Sequence, residues 1–171
     1  MNTAQVLQLN LHQQLVGYII GFHNGKNIVL FDQLFRDNPY RPTLSLMTAP
    51  QFPHSEQLLK KDWVTQQRLA PLFSNLLPEG ALRTLLAQQL KIHTDHEFQF
   101  LSVLGQDLSG ALTAQALAPE NVPEWVQQHL HLSDVTQIVE HQVNQPYKFS
   151  LAGVQLKFSM QQNNQCFTLG A

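Results

Sequence analysis

The most constraining stretch of this chain is near its start. Leu15 to Phe22 is an apolar run rich in β-branched residues, Asn24-Gly25 follows, and Asn27 to Phe31 is apolar again. Asn-Gly between two such runs predicts a β-hairpin, because a type I′ turn needs positive φ at both central positions. Val6, Leu7 and Leu9 predict a strand before it, with His12-Gln13-Gln14 as the turn. Thr43 to Met47 reads as a further strand. The first third is therefore expected to be a small antiparallel meander. Asp32 is placed to cap a short helix over Gln33 to Asp37, ended by Pro39 and Pro42.

The middle changes period. Ala49 to Lys61, with Pro50 and Pro53, reads as a mobile loop. A helix is expected from Val64 to Ala70, interrupted by Pro71. Ala81 to Leu90 places Leu82, Leu85, Leu86 and Leu90 at helical spacing, and Pro78 suits the first turn of that helix. Thr94 or Asp95 caps another helix carrying Phe98, Leu101 and Leu104, with Gly105 as its C-terminal glycine. Ala111 to Leu117 reads as a strand and Ala118 to Pro123 as a linker. Two amphipathic helices over Glu124 to Leu130 and Ser133 to Gln142 follow, and the tail from Phe149 to Leu169 reads as two strands joined at Gln161 to Gln165. The class is α+β: a small antiparallel meander or barrel-like sheet, a helical bundle segment and a C-terminal β-hairpin. The expected division is 1–118, a helical linker region over 119–148, and the hairpin over 149–171.

With 171 residues and 43% hydrophobic content, the chain is long enough to bury a core. A net charge of -2 argues against direct nucleic-acid binding. The single cysteine, Cys166, makes neither an internal disulfide nor a cysteine metal site. With no leader or apolar span evident, a cytoplasmic, membrane-free protein is expected. Eight histidines raise the question of a metal, but His93 and His96, beside Asp95 and Glu97, match no ligand pattern. The reading is scattered surface histidines and no metal.

Three segments carry chemistry. Ser150-Leu151-Ala152-Gly153-Val154-Gln155-Leu156-Lys157 sets small residues at a strand-to-strand turn before a lysine. Such a turn lets backbone N–H groups face phosphate oxygens, and an ordinary hairpin reads the same way. Phe73-Ser74-Asn75-Leu76-Leu77-Pro78-Glu79-Gly80, with Arg83, offers a Ser/Asn pair to cap a helix N-terminus, either as plain capping or as an anion site. Gly105 to Leu112 frames Asp107 and Ser109 between Gly105 and Gly110 in a tight loop from helix to strand.

In this order and wording, the three segments resemble the HipA family of bacterial toxin–antitoxin serine/threonine kinases. Phe73, Asn75, Leu76, Leu77, Pro78, Glu79, Gly80 and Arg83 match its first motif. Gly105, Asp107 and Gly110 match its second, and Ser150 to Lys157 match its glycine-rich loop. The resemblance implies that Ala152, Gly153, Val154, Gln155 and Lys157 form a phosphate-covering loop and that Ser150 is a candidate phosphorylation site. A family kinase continues well beyond such a loop to supply its catalytic and magnesium-binding carboxylates. After Lys157 this chain has no aspartate or glutamate. The expectation is a non-enzymatic, HipS-like module that binds and restrains a HipA- or HipT-like kinase core, with a HipB-like DNA-binding partner in the assembly. It would bind no cofactor alone, with ATP and magnesium only where a kinase core is supplied. The alternative is the N-terminal fragment of a full-length HipA-like kinase, inactive in isolation. Trp63, after Lys60-Lys61-Asp62, is the candidate partner contact, because tryptophan is enriched among residues that dominate binding energy.

Overall fold

The computed structural model of the chain describes residues 4–130, 160–163 and 166–169. Strands β1 (Ala4–Leu11), β2 (Gln14–Phe22) and β3 (Lys26–Phe31) form the expected antiparallel meander. Two later strands complete it. β4 (Trp63–Gln66) pairs with β3, and β5 (Leu112–Ala116) pairs with β1. The order is β4-β3-β2-β1-β5, an open antiparallel sheet with two edges and no barrel closure. With its helices, it makes the α+β class expected. A separate antiparallel pair, β6 (Met160–Asn163) and β7 (Cys166–Leu169), lies within the tail read as two strands.

Both faces of the sheet are apolar, and period-two alternation divides the side chains between them. Leu7, Leu9, Ile19, Val29 and Phe31 face the first core, beneath α1 (Gln33–Asp37), α2 (Ser55–Leu59), α3 (Pro71–Ser74), α4 (Gly80–Leu90) and α5 (Glu97–Leu104). Ala4, Val6, Tyr18, Ile20, Phe22, Ile28 and Leu30 face the second. This double burial explains why Leu15 to Phe22 reads as one apolar run. Val16 is the extra residue of a bulge: Leu9 pairs with Gly17 and Asn10 with Leu15. The bulge turns Val16 into the first core, and its carbonyl accepts the N–H of Asp32 at 2.9 Å. Asp32 then caps α1 as expected, its carboxylate accepting from the N–H groups of Leu34 and Phe35.

The second face is covered by the segment after β5. Pro119–Asn121 makes a short 3-10 turn and α6 (Glu124–Gln127) follows. Val122 and Val126 are buried on the sheet, and Trp125 meets the Tyr18 ring edge-on at 5.5 Å. Beyond α6, His129 Nε2 lies 3.3 Å from Asp62 just before β4. The segment thus runs as a strap from one edge of the sheet to the other. Burial raises the pKa of the Tyr18 phenol above its ordinary value, and the charge of Asp32 adds to this.

Several local expectations are corrected. The Asn24-Gly25 turn is not type I′: of the pair, only Gly25 has positive φ (83°), and Gly25 N–H donates to Phe22 O. The two-residue turn with both positions at positive φ is His12-Gln13 (50° and 66°), whose residue types carry no such signal. Thr43 to Met47 is not a strand. Leu46–Thr48 is a 3-10 turn in which Ser45 N–H donates to Thr48 Oγ1. The fourth strand is instead β4, where a helix was expected; its short alternating pattern forms against β3, far away in sequence. The supposed loop from Ala49 to Lys61 contains α2. Pro71 opens α3 at its first turn rather than interrupting a helix. Ser133 to Gln142 lies outside the described residues. Among the described residues no helix is long and apolar enough to cross a membrane.

Candidate functional site

The first motif builds a closed polar lock. Phe73 anchors α3 in the core and is fully buried. Ser74, the last residue of α3, donates its hydroxyl to Glu97 Oε1 at 2.9 Å. Arg83, one turn into α4, donates from Nη2 to the same oxygen at 2.9 Å. The Leu69 N–H donates to Glu97 Oε2 at 2.8 Å. Arg83 Nε also donates to Thr94 O at 2.7 Å, and the guanidinium lies over the Phe100 ring, 5.4 Å from its centre. Glu97 opens α5 and is 1% exposed. A buried carboxylate is tolerated only when paired and hydrogen-bonded, and both of its oxygens are here taken by the chain's own donors. Glu97 is therefore a clamp across α3, α4 and α5 rather than a base open to a substrate.

The rest of the motif follows from the same geometry. Leu77 is buried, Leu76 is half-buried on the first core, and Pro78 is buried. Gly80 starts α4 at φ 58°, a conformation that side chains disfavour. Asn75 and Glu79 are exposed. Ser74 and Asn75 do not cap α4. They stand at the end of α3, and the N-cap of α4 is Glu79, which makes no side-chain capping bond. The Ser/Asn pair therefore does not supply the helix cap considered for this segment.

The second motif is a tight return from α5 to β5. Gly105 has φ -60°, so it is not a left-handed cap. It is glycine because a Cβ would run into the carbonyl oxygen of Ala114 and come within 2.7 Å of that of Leu101. Ala114 N–H donates to Gly105 O at 2.7 Å, tying the helix end to the strand. Asp107 N–H donates to Leu104 O at 2.8 Å, and Gly110 takes φ 105°.

Trp63 opens β4. Its indole packs edge-on against Phe31 at 4.8 Å, and Nε1 donates to Leu58 O at 3.0 Å. It is half-buried on the first core, so much of its surface is engaged by its own domain. The glycine-rich segment, with Ser150, Ala152, Gly153, Val154, Gln155 and Lys157, lies outside the described residues. The rings of His93 and His96 lie 5.8 Å apart between centres, tilted by 53°, and no group of three ligating residues among the described residues could hold a metal.

Sequence reasoning missed a surface between α1 and α2. Arg41, 4% exposed, lies at its centre. Its Nε donates to Thr48 O at 3.3 Å and Nη1 to the carbonyls of Arg36 and Asn38 at 3.1 and 3.3 Å. Nη2 donates to Ser55 Oγ at 3.0 Å. One guanidinium thus satisfies the carbonyls of an irregular segment and ties it to α2. Around this staple, large apolar side chains face solvent: Leu34 is 82% and Tyr40 90% exposed, and Leu46, Met47 and Phe52 are also exposed. The Nε of Arg36 is buried with no acceptor among the described residues. The available signal was large apolar residues set among the prolines Pro39, Pro42, Pro50 and Pro53, where only short elements form.

A family model described as HipA N-terminal domain matches residues 7–115, which run from within β1 to within β5 and include both motifs of the helical layer. The chain is 35% identical over 165 residues to a protein of Sinorhizobium fredii named "Putative kinase Y4dM". That match takes in 96% of this chain and 37% of the relative, so the chain spans little more than a third of the relative's length.

Proposed function

The chain belongs to the family of HipA N-terminal domains, and on that premise we propose that it is a HipS-like regulatory module that binds and restrains a serine/threonine kinase core. The observation that supports this reading is the match of residues 7–115 to a HipA N-terminal domain, in a chain that also resembles a relative named as a kinase. The described residues supply packing locks and an exposed apolar surface. The titratable cluster at the first motif is sealed by its own hydrogen bonds and faces no substrate. On this reading the catalytic residues are supplied by the kinase core rather than by the module. ATP and magnesium belong to the kinase core, and a HipB-like DNA-binding protein is the further partner in a cytoplasmic assembly.

A second reading rests on a different observation. The segment Ser150 to Lys157 matches a family glycine-rich loop, which a minimal HipS would lack. On this reading the chain is the N-terminal part of a longer HipA-like kinase, with Ala152 to Gln155 covering nucleotide phosphates and Ser150 the phosphorylated residue. The reading frame after Ala171 separates the two. A neighbouring gene for a kinase core supports the first, and continuation into a kinase core supports the second.

The functional test is co-expression with the kinase core encoded beside or in frame with this chain. A copurifying complex with lowered kinase activity is expected, and free chains with unchanged activity would overturn the proposal. Incubated alone with ATP and magnesium, the chain is expected to incorporate no phosphate at Ser150; incorporation would make it an enzyme in its own right.

A further inference from the structure

We propose that Asn24, in the turn between β2 and β3, is a site of spontaneous deamidation, and that its β-linked product unfastens the end of β4. Asn24 is the only asparagine of the chain followed by glycine. It is exposed, and the glycine leaves no side chain to crowd the nitrogen that follows it. Its side chain is folded forward along the main chain, because Oδ1 accepts the Lys26 N–H at 3.0 Å. The hydrogen-bonded ring so closed includes both Asn24 Cγ and the Gly25 nitrogen, the two atoms that must meet.

In the reaction the Gly25 nitrogen attacks Asn24 Cγ and the Cγ–Nδ2 bond breaks. Ammonia leaves with the proton given up by the Gly25 nitrogen, and a cyclic imide remains. Water, the sole co-reactant, then opens that ring. Cleavage between Cγ and nitrogen gives aspartate in an unaltered main chain. Cleavage between the main-chain carbonyl carbon and nitrogen gives isoaspartate, whose main chain runs through Cγ. The fold slows the first step, because the Gly25 N–H is committed to Phe22 O at 2.9 Å and must be released.

The turn that changes is also what holds the end of β4. Asn24 O accepts from Gln66 Nε2 at 2.8 Å, and Gly25 O accepts from the Gln67 N–H at 2.6 Å and from Asn27 Nδ2 at 3.2 Å. Gln67 is held there at φ 61°. Among the described residues β4 pairs with β3 alone, so no second strand secures it. In the β-linked product an extra methylene enters the main chain between positions 24 and 25, and the former carbonyl of Asn24 becomes a pendant carboxylate. The acceptor for Gln66 is displaced, and Gly25 O moves with the lengthened turn. The aspartate product adds only a charge.

The test holds the full chain in mildly alkaline buffer, both native and in urea, and follows it by peptide mass spectrometry. Labelling with an isoaspartate methyltransferase identifies the β-linked form. Conversion at position 24 is expected ahead of every other asparagine, and severalfold more slowly in the native chain than in urea. Amide exchange on the aged native protein is expected to show the Gln67 amide losing protection in proportion to the β-linked fraction, while β1 and β2 keep theirs. Asn24→Gln, whose longer side chain would have to close a larger ring, is expected to stay unconverted and protected. An Asn24 that remains intact while other asparagines convert would overturn the site. A β-linked product with the Gln67 amide still protected would overturn its effect, as would the same loss of protection in stored Asn24→Gln.

Discussion

Arg83 and Glu97, fourteen residues apart and on different helices, meet at 2.9 Å in a pocket where Glu97 is all but closed to water. The pair joins the end of the first family motif to a residue that no motif includes. Removing one partner of a buried pair leaves the other uncompensated and typically costs about 3–5 kcal/mol. Arg83→Ala is expected to lower stability by about that amount. Arg83→Lys should rescue it only in part, because a single ammonium cannot reproduce the separate bond from Nε to Thr94 O. Chemical denaturation of the three proteins checks this; a lysine variant as stable as the wild type would show that charge alone matters there.

Arg41→Ala is expected to act locally before it acts globally. Hydrogen bonds to a charged donor are worth roughly 1.5–3 kcal/mol each at most, and four are lost together. Amide exchange in residues 36–55 should accelerate strongly while β1 and β2 stay protected. Uniform acceleration across the domain would mean that the staple is part of the global fold rather than of the α1–α2 surface.

Two family glycines should respond differently to the same change. Gly105→Ala drives a methyl group into backbone on both sides and is expected to cost about 3 kcal/mol or more. Gly80→Ala meets no atom within 4 Å and pays only for its left-handed φ, roughly 1–2 kcal/mol. The difference in thermal midpoint between the two variants is the measurement. Equal losses would contradict the steric account of Gly105.

Tyr18 sets an alkaline limit. Its phenol has a raised pKa in the fold, above the 10.0 of the unfolded chain. Once the pH passes 10.0, the unfolded chain loses the proton while the folded one keeps it, so the stability present below that pH declines as pH rises toward the folded value. The urea midpoint should therefore fall on moving from neutral pH to above 10, and Tyr18→Phe should flatten the fall. An unchanged slope in the variant would assign the effect to other groups.

The meander and the α4 and α5 helices were legible because each has a clear period, Leu15 to Phe22 before Gly25 and the leucines of α4 at helical spacing, but the caps of α5 were not: its N-cap is His96 rather than Thr94 or Asp95. What escaped depends on distant partners. β4 is four residues long and becomes a strand only because β3 offers its edge. The 3-10 turn at Leu46–Thr48 is stabilised by Arg41, whose role cannot be read from its place between Pro39 and Pro42. The site was legible as wording before it was legible as physics. Phe73, Gly80, Arg83 and Gly105 were marked by resemblance, while Glu97, the residue on which Ser74 and Arg83 converge, carries no local signal of burial. The Leu34 to Phe52 surface was hidden for the opposite reason, since sequence patterns register residues that pack into regular elements and pass over those left outside.

The place of β1 between β2 and β5 has a consequence for how the protein is made. The first strand to leave the ribosome is completed on one side at once, by a hairpin. Its other side waits for β5, with Leu7 opposite Ala116 and more than a hundred residues between them. Until then a nascent chain presents an unpaired edge of alternating leucines, the kind of surface that recruits other strands. The apolar second face likewise waits for Val122 and Val126. Fragments ending before β5 should therefore depend on chaperones or aggregate, and the last segments of the domain to be translated are the ones that make it safe.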